Sequence, residues 1–148
     1  MPDVGIIHVQ RADAAGNAQK WGSLGVDREG INASKMVIVT TEKIVDSDVI
    51  RRDPNLTIIP GFRVSAVVEQ PWGAYPMHLA GCYNGDVTGF AADMRDKEHF
   101  EAYLENLIYG VQDWNEYLEK RKTINGKDYF EKLEINKPVI SEPIITGY

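Results

Sequence analysis

The chain is short of the residues that build several common kinds of site. It holds one cysteine, Cys82, and three histidines in 148 residues. One cysteine closes no internal disulfide, so the framework of a small secreted domain is excluded. His78 and Cys82 stand four apart in a glycine- and proline-rich stretch with no second pair beside them, and no metal site is expected. The glycines follow neither G-x-G-x-x-G nor the Walker pattern, and no G-x-S-x-G elbow occurs. Positive charge is in deficit: 16 Lys and Arg against 22 Asp and Glu leave a net charge of -6, the wrong sign for a nucleic-acid face. No apolar run approaches the roughly 20 residues that cross a bilayer, and the N-terminus lacks a basic-then-apolar leader. A cytoplasmic protein that engages neither nucleic acid nor membrane is the expectation.

What is present reads as one α/β domain over 1–148, long enough to bury a single core. Val4–Val9, Lys35–Thr41, Thr57–Ile59 and Val64–Glu69 are strand-forming runs, the last two separated by Pro60-Gly61. Their near-continuous apolar character, rather than strict alternation, predicts a parallel or mixed sheet flanked by helices. A helix starting near Asp27 and a helical turn over Ser47–Arg52 fit the gaps, which gives βαβ units. Residues 2–70 form this strand-rich core. Residues 71–95 carry glycines, prolines and aromatics without a period and read as a long functional loop.

Residues 96–134 read as C-terminal helices. Phe100, Tyr103, Leu104, Leu107 and Ile108 make one apolar stripe, with Asp96 as its cap and Gly110 as its left-handed terminator. Asp113 and Glu116 open a second helix in the manner of a capping box, Asn125-Gly126 breaks it, and Tyr129, Phe130 and Leu133 mark a third. Residues 135–148 read as an extended tail.

The candidate site is the stretch HVQRADAAGN, which leaves the first strand where ligands bind in open α/β sheets. Arg11 has the planar fork that grips a carboxylate or phosphate. Asp13, Gly16 and Asn17 suit either a site or a plain turn, and by spacing alone the turn is favoured. Glu69 at a strand end reads as a solvated carboxylate, and His8 as a core or sheet-surface residue.

Several segments in order resemble family I coenzyme A transferases. PDVGIIHVQRADAAGNAQKWG is similar to their strand followed by an Ala-Asp-x-x-Gly-Asn turn, and KMVIVTTEKIVD to the next strand with its Glu-x-Ile-Val ending. IIPGFRVSAVVEQPWGAYP and YLENLIYGVQDWNEYLEK resemble stretches of glutaconate CoA-transferase-like α subunits. The resemblance spans about residues 2–122, corresponds to the C-terminal half of such a polypeptide, and implies a CoA-transferase/NagB-like fold. It implies that CoA passes from an acyl-CoA to a carboxylic acid through a glutamyl-CoA intermediate. It implies acyl-CoA as substrate, no permanently bound cofactor and no metal. The partners it implies are the N-terminal half of the α subunit, together with a β subunit.

The nucleophile motif, Ser-Glu-Asn-Gly, belongs to the β part. Here the Asn-Gly pairs are Asn84-Gly85 and Asn125-Gly126, neither preceded by glutamate, so no catalytic residue is expected in this chain. The resemblance assigns substrate contact to Arg11, Asp13, Gly16 and Asn17. It places Pro71, Gly73, Ala74 and Pro76 in a loop at the cleft or an interface. Asp13 is nonetheless the carboxylate expected to fix the turn. A ring-opening CoA-thioester hydrolase of the steroid-degradation type shares the fold, and a noncatalytic partner-binding domain is the alternative of another class.

Overall fold

A computed structural model describes residues 1–136. All but the first two residues of the expected tail, 137–148, lie outside the described residues. Where the sequence reads as one domain, the chain divides into two compact units, the first Met1–Tyr75 and the second beginning at Pro76.

The first unit is a five-stranded mixed sheet of β1 (Val4–Asp13), β2 (Ala18–Gln19), β3 (Met36–Val45), β4 (Thr57–Ile59) and β5 (Ala66–Glu69), in the order β4-β2-β1-β3-β5. β1, β3 and β5 run parallel, with Val4 opposite Met36 and Ile38 opposite Ala66, while β2 is antiparallel to both β1 and β4. α1 (Asp27–Asn32) and α2 (Ser47–Arg51) fill the connections as the sequence predicts.

Two strands are longer than the sequence indicates. β1 continues past Val9 to Asp13 because its second half pairs with Lys43–Val45 on one side and Ala18–Gln19 on the other. Polar residues hold a strand when both neighbours satisfy its backbone, and those neighbours are invisible to a local pattern. The Thr41 hydroxyl engages Lys43 backbone groups at 3.2 and 3.4 Å, and the turn after β1 packs on Gly61 and Val64 ahead of β5. One core gathers Ile7, Val9, Ala12, Ala18, Ile31, Val37, Val39, Ile58 and Ile59, with Leu24, Val64 and Val67 packed against it.

Near the start of β1 and β3 the opposite face of the central ladder is apolar and exposed. Val4, Ile6, Met36 and Val68 alternate with the core residues, and Ile6 is 67% exposed. Parallel ladders are ordinarily covered on both sides.

The second unit is helical: α3 (Val87–Asp93), α4 (Lys97–Tyr103), α5 (Trp114–Asn125) and α6 (Tyr129–Leu133). α3 falls inside the expected loop; the Asp86 carboxylate starts it by accepting the Gly89 N–H at 3.0 Å, with too few apolar residues to show a period. Asp96 and Asp113 cap α4 and α5 as predicted, through His99 and Glu116 N–H groups at 3.0 and 2.9 Å. Gly110 is not the terminator. α4 widens into a π-helical turn over Leu104–Ile108, closed by Tyr109 N–H on Leu104 O at 2.8 Å. Arg121 is buried in this unit, with Nη2 on Asp93 at 2.5 Å and Nε on the Tyr117 hydroxyl at 3.2 Å. Among the described residues, no helix is long and apolar enough to cross a membrane.

The two faces of the sheet predict opposite responses to substitution. Ile59→Ala, at a fully buried position, should cost about 2–5 kcal/mol in denaturant unfolding. Ile6→Glu should change stability by no more than about 0.5 kcal/mol and should reduce binding of a dye that reports apolar surface.

Candidate functional site

The residues of the predicted site separate into two groups. The first is the reversal that follows β1. Asp13 is completely buried, and its carboxylate accepts the Asn17 backbone N–H at 2.9 Å, the Asn17 side-chain amide at 2.9 and 3.2 Å, and the Ser47 hydroxyl at 2.8 Å. Asn17 passes the connection on, its Oδ1 accepting the Gly61 N–H at 2.9 Å. Gly16 sits at φ +92°, where a side chain is strained, and a Cβ there would lie 2.9 Å from Val64 Cβ. One carboxylate thus ties the turn to α2 and, through Asn17, to the Pro60-Gly61 corner. Burial pushes the Asp13 carboxyl up, but hydrogen bonds from Asn17, from Ser47 and from the backbone of Asn17 and Ala15 outweigh it and hold it below 3.8.

Arg11 stands inside β1 rather than in a loop, opposite Gln19. Its Nε donates to Gln19 Oε1 at 2.7 Å, and the guanidinium lies 5.4 Å from the Trp21 ring centre. Gln19 is buried and donates in turn to the carbonyls of Ile50 and Asp53 at 3.0 and 2.7 Å. Arg11 is therefore oriented through Nε, while its Nη groups carry no hydrogen bond among the described residues.

Two open clefts of about 330 Å³ flank the turn. One is lined by Ala14, Gly16, Ile44 and Val64, the other by Asp13, Asn17, Ser47 and Thr57. Arg11 lines neither.

The second group lies on the turn after β5. Gly73 packs so closely on His8 that a Cβ would fall 2.5 Å from the imidazole Cε1. Trp72 N–H donates to Glu42 Oε2 at 2.9 Å, and Glu42 Oε1 lies 2.7 Å from His8 Nε2. Pro71 and Ala74 belong to this turn, whereas Pro76 opens the second unit, where its carbonyl accepts the Asp86 N–H at 2.9 Å. Glu69 is exposed, but its carboxylate accepts the Ile44 N–H of β3 at 2.7 Å. Among the described residues no group of three or more His, Cys, Asp or Glu side chains is placed to hold a metal ion.

The profile of the family described as Coenzyme A transferase matches residues 1–70, which contain every one of these strands and the Asp13 turn. That match covers a little under half of the chain. The chain is 38% identical to one of the subunits of the 3-oxoadipate CoA-transferase of Pseudomonas knackmussii, over 85% of its own length and 44% of that protein. It is 37% identical to one of the subunits of the glutaconate CoA-transferase of Acidaminococcus fermentans, over 80% of this chain and 38% of that one. The crystal structure of that glutaconate coenzyme A-transferase superposes with a TM-score of 0.80 at 34% identity, over 90% of this chain and 42% of the other. The decarboxylase AibA/AibB matches with a TM-score of 0.58 at 29% identity, over 73% and 39%. The chain spans 32–44% of the length of the curated relatives it matches.

Within residues 1–70, sequence reasoning missed Ser47, the donor that joins Asp13 to α2, and Glu42, the acceptor beneath Trp72. Glu42 stands in the Glu-x-Ile-Val ending of its strand, so a signal existed; Ser47 had none beyond its place after Asp46. Asp13→Asn should cost about 1.5–3 kcal/mol at neutral pH, the usual range for hydrogen bonds to a charged group. Because the folded carboxyl titrates below 3.8, its contribution is present above that pH and lost as pH falls through the folded value. The gap between the parent and the variant should therefore be constant in neutral solution and close in acid, as read by urea unfolding at stepped pH.

Proposed function

We propose that the chain is part of the α subunit of a coenzyme A transferase, supplying scaffold and acyl-pocket surface to an enzyme completed by the rest of that subunit together with a β subunit. The observation that carries this is the likeness to glutaconate coenzyme A-transferase over nine-tenths of the chain. The bare apolar face along Val4, Ile6, Met36 and Val68 fits the reading, since a parallel ladder needs a second covering layer that the remaining α-subunit residues would provide. The single cysteine suits a reducing, cytoplasmic setting.

In this reaction a glutamate carboxylate, supplied by the β subunit, attacks the thioester carbonyl of acyl-CoA. CoA thiolate leaves, and an acyl-glutamyl anhydride forms. The thiolate then attacks the glutamyl carbonyl, releasing the first carboxylic acid and forming the glutamyl-CoA thioester. The same two steps run in reverse on the acceptor acid and restore the free glutamate. Each addition makes an oxyanion that needs fixed donors. The part of this chain is to shape the pocket: the Asp13 turn is a rigid wall, and Arg11, oriented by Gln19 and Trp21, offers its outer nitrogens to a second carboxylate on the acyl group. CoA enters as substrate, and no bound cofactor is required.

A second reading has support in the decarboxylase AibA/AibB, whose likeness to this chain attaches another reaction to a related structure. One experiment separates the readings. The chain is assembled with the remaining α-subunit residues and a glutaconate-type β subunit, then given glutaconyl-CoA, whose double bond conjugated to the thioester can take up the electron pair left by CO2, with and without acetate. Acetyl-CoA formation indicates the transferase, free CoA without acceptor dependence indicates hydrolysis, and carbon dioxide release indicates decarboxylation. A chain that stays an inert monomer beside its complement overturns the proposal. In the active assembly Arg11→Ala should raise KM for a dicarboxylic acyl-CoA about 10- to 100-fold, the equivalent of losing one charge-assisted hydrogen bond. An unchanged KM removes Arg11 from the acyl pocket.

A further inference from the structure

The turn after β5 holds a backbone conformation that its own sequence disfavours. Trp72 lies at φ +63°, the one residue other than glycine with positive φ among the described residues. A bulky side chain is rare there and persists where its surroundings over-determine it, commonly beside a functional site. Here the surroundings are specific. Gln70 N–H donates to Thr41 O at 2.7 Å, which fixes where the chain leaves the sheet. Gly73 N–H returns to Gln70 O at 3.1 Å and Tyr75 N–H to Trp72 O at 2.9 Å, which closes the turn on itself. The strained Trp72 peptide donates to Glu42 Oε2.

Glu42 is in turn fixed from the sheet. Its other oxygen lies 2.7 Å from His8 Nε2, and both side chains are largely buried, at 15% and 11% exposure. His8 is also held at its second nitrogen: Nδ1 lies 2.9 Å from the Thr40 hydroxyl oxygen, which in turn lies 3.3 Å from Ile7 O. The imidazole then forms the floor on which Gly73 rests, with no room for a Cβ. The chain of contacts runs from the β1 and β3 backbones through His8 and Glu42 to one peptide of the turn.

We propose that Glu42 is a positioning residue: with His8 beneath it, it latches the Gln70–Tyr75 turn onto the sheet and so presets the wall that this turn offers to acyl-CoA. The proposal rests on the transferase reading for the identity of the ligand and on the geometry above for the latch. A glutamine at position 42 keeps a carbonyl for Trp72 N–H and a polar group facing His8 Nε2, whereas alanine keeps neither.

The test pairs a local readout with a ligand readout in three proteins: the parent, Glu42→Ala and Glu42→Gln. Amide exchange in the full chain should show Trp72 and Gly73 N–H at least tenfold faster in Glu42→Ala, with Val37 and Val39 as protected as in the parent. Glu42→Gln should stay within threefold. Calorimetry with glutaryl-CoA on the assembled α and β subunits should show Kd raised tenfold or more by Glu42→Ala and less than threefold by Glu42→Gln. Trp72 and Gly73 amides that remain protected in Glu42→Ala overturn the latch. Amides released with Kd unchanged overturn its role toward acyl-CoA, as does a Glu42→Gln protein that behaves like alanine. A parent assembly that binds glutaryl-CoA without exchanging CoA counts against the transferase chemistry alone, and both readouts still decide the latch.

Discussion

The first unit depends on one buried carboxylate. Asp13 has no contact with solvent, and it is tolerated only because four donated bonds surround it: two from the Asn17 amide, one from the Asn17 backbone and one from Ser47. Those bonds set the reversal after β1, which places β2 against β1 and lets β4 pair with β2. Through Asn17 the same group reaches Gly61, whose position decides where β5 begins. A buried acid without those partners would titrate upward and open the turn; with them it stays ionised and holds three segments far apart in sequence.

The same logic explains why the turn and the latch are separate devices. At one end of β1 a carboxylate collects backbone and side-chain donors from a tight reversal. Midway along β1 and β3, a second carboxylate, Glu42, collects an imidazole and a strained peptide from the turn after β5. Each ties a connection between strands to the sheet through side-chain hydrogen bonds and so fixes the surface that connection presents. The bare face around Ile6 tells of the opposite condition: apolar surface that nothing among the described residues covers and that favours a second layer.

Much of the fold was legible locally. The strand runs at Val4–Val9 and Thr57–Ile59, the helical turns at Asp27 and Ser47, and the caps at Asp96 and Asp113 all depend on neighbours in sequence, and all appear in the structure. Asp13 as the anchor of its turn was legible for the same reason, since Asx-type bonding is a local habit. What was not legible depended on distant partners. The continuation of β1 through Arg11 needed β2 and β3 beside it, which moved Arg11 from an expected loop onto a strand. α3 lacked a period and rested on a single cap. Gly110, the expected terminator, was bypassed by a π-helical turn that no spacing rule signals.

By itself, then, the sequence determined the alternation of strand and helix, the sign of the charge, the absence of the common nucleotide motifs and the family likeness of the first 70 residues. These are properties of residue type and short-range order, and the chain carries them before it folds. Only the tertiary structure decided that Ser47 and Gly61 meet the Asp13 turn, that Gln19 and Trp21 orient Arg11, and that Glu42 and His8 bear on Trp72. Each of these pairings rests on the register between strands distant in sequence. That register packs a shared core whose members no window of sequence contains.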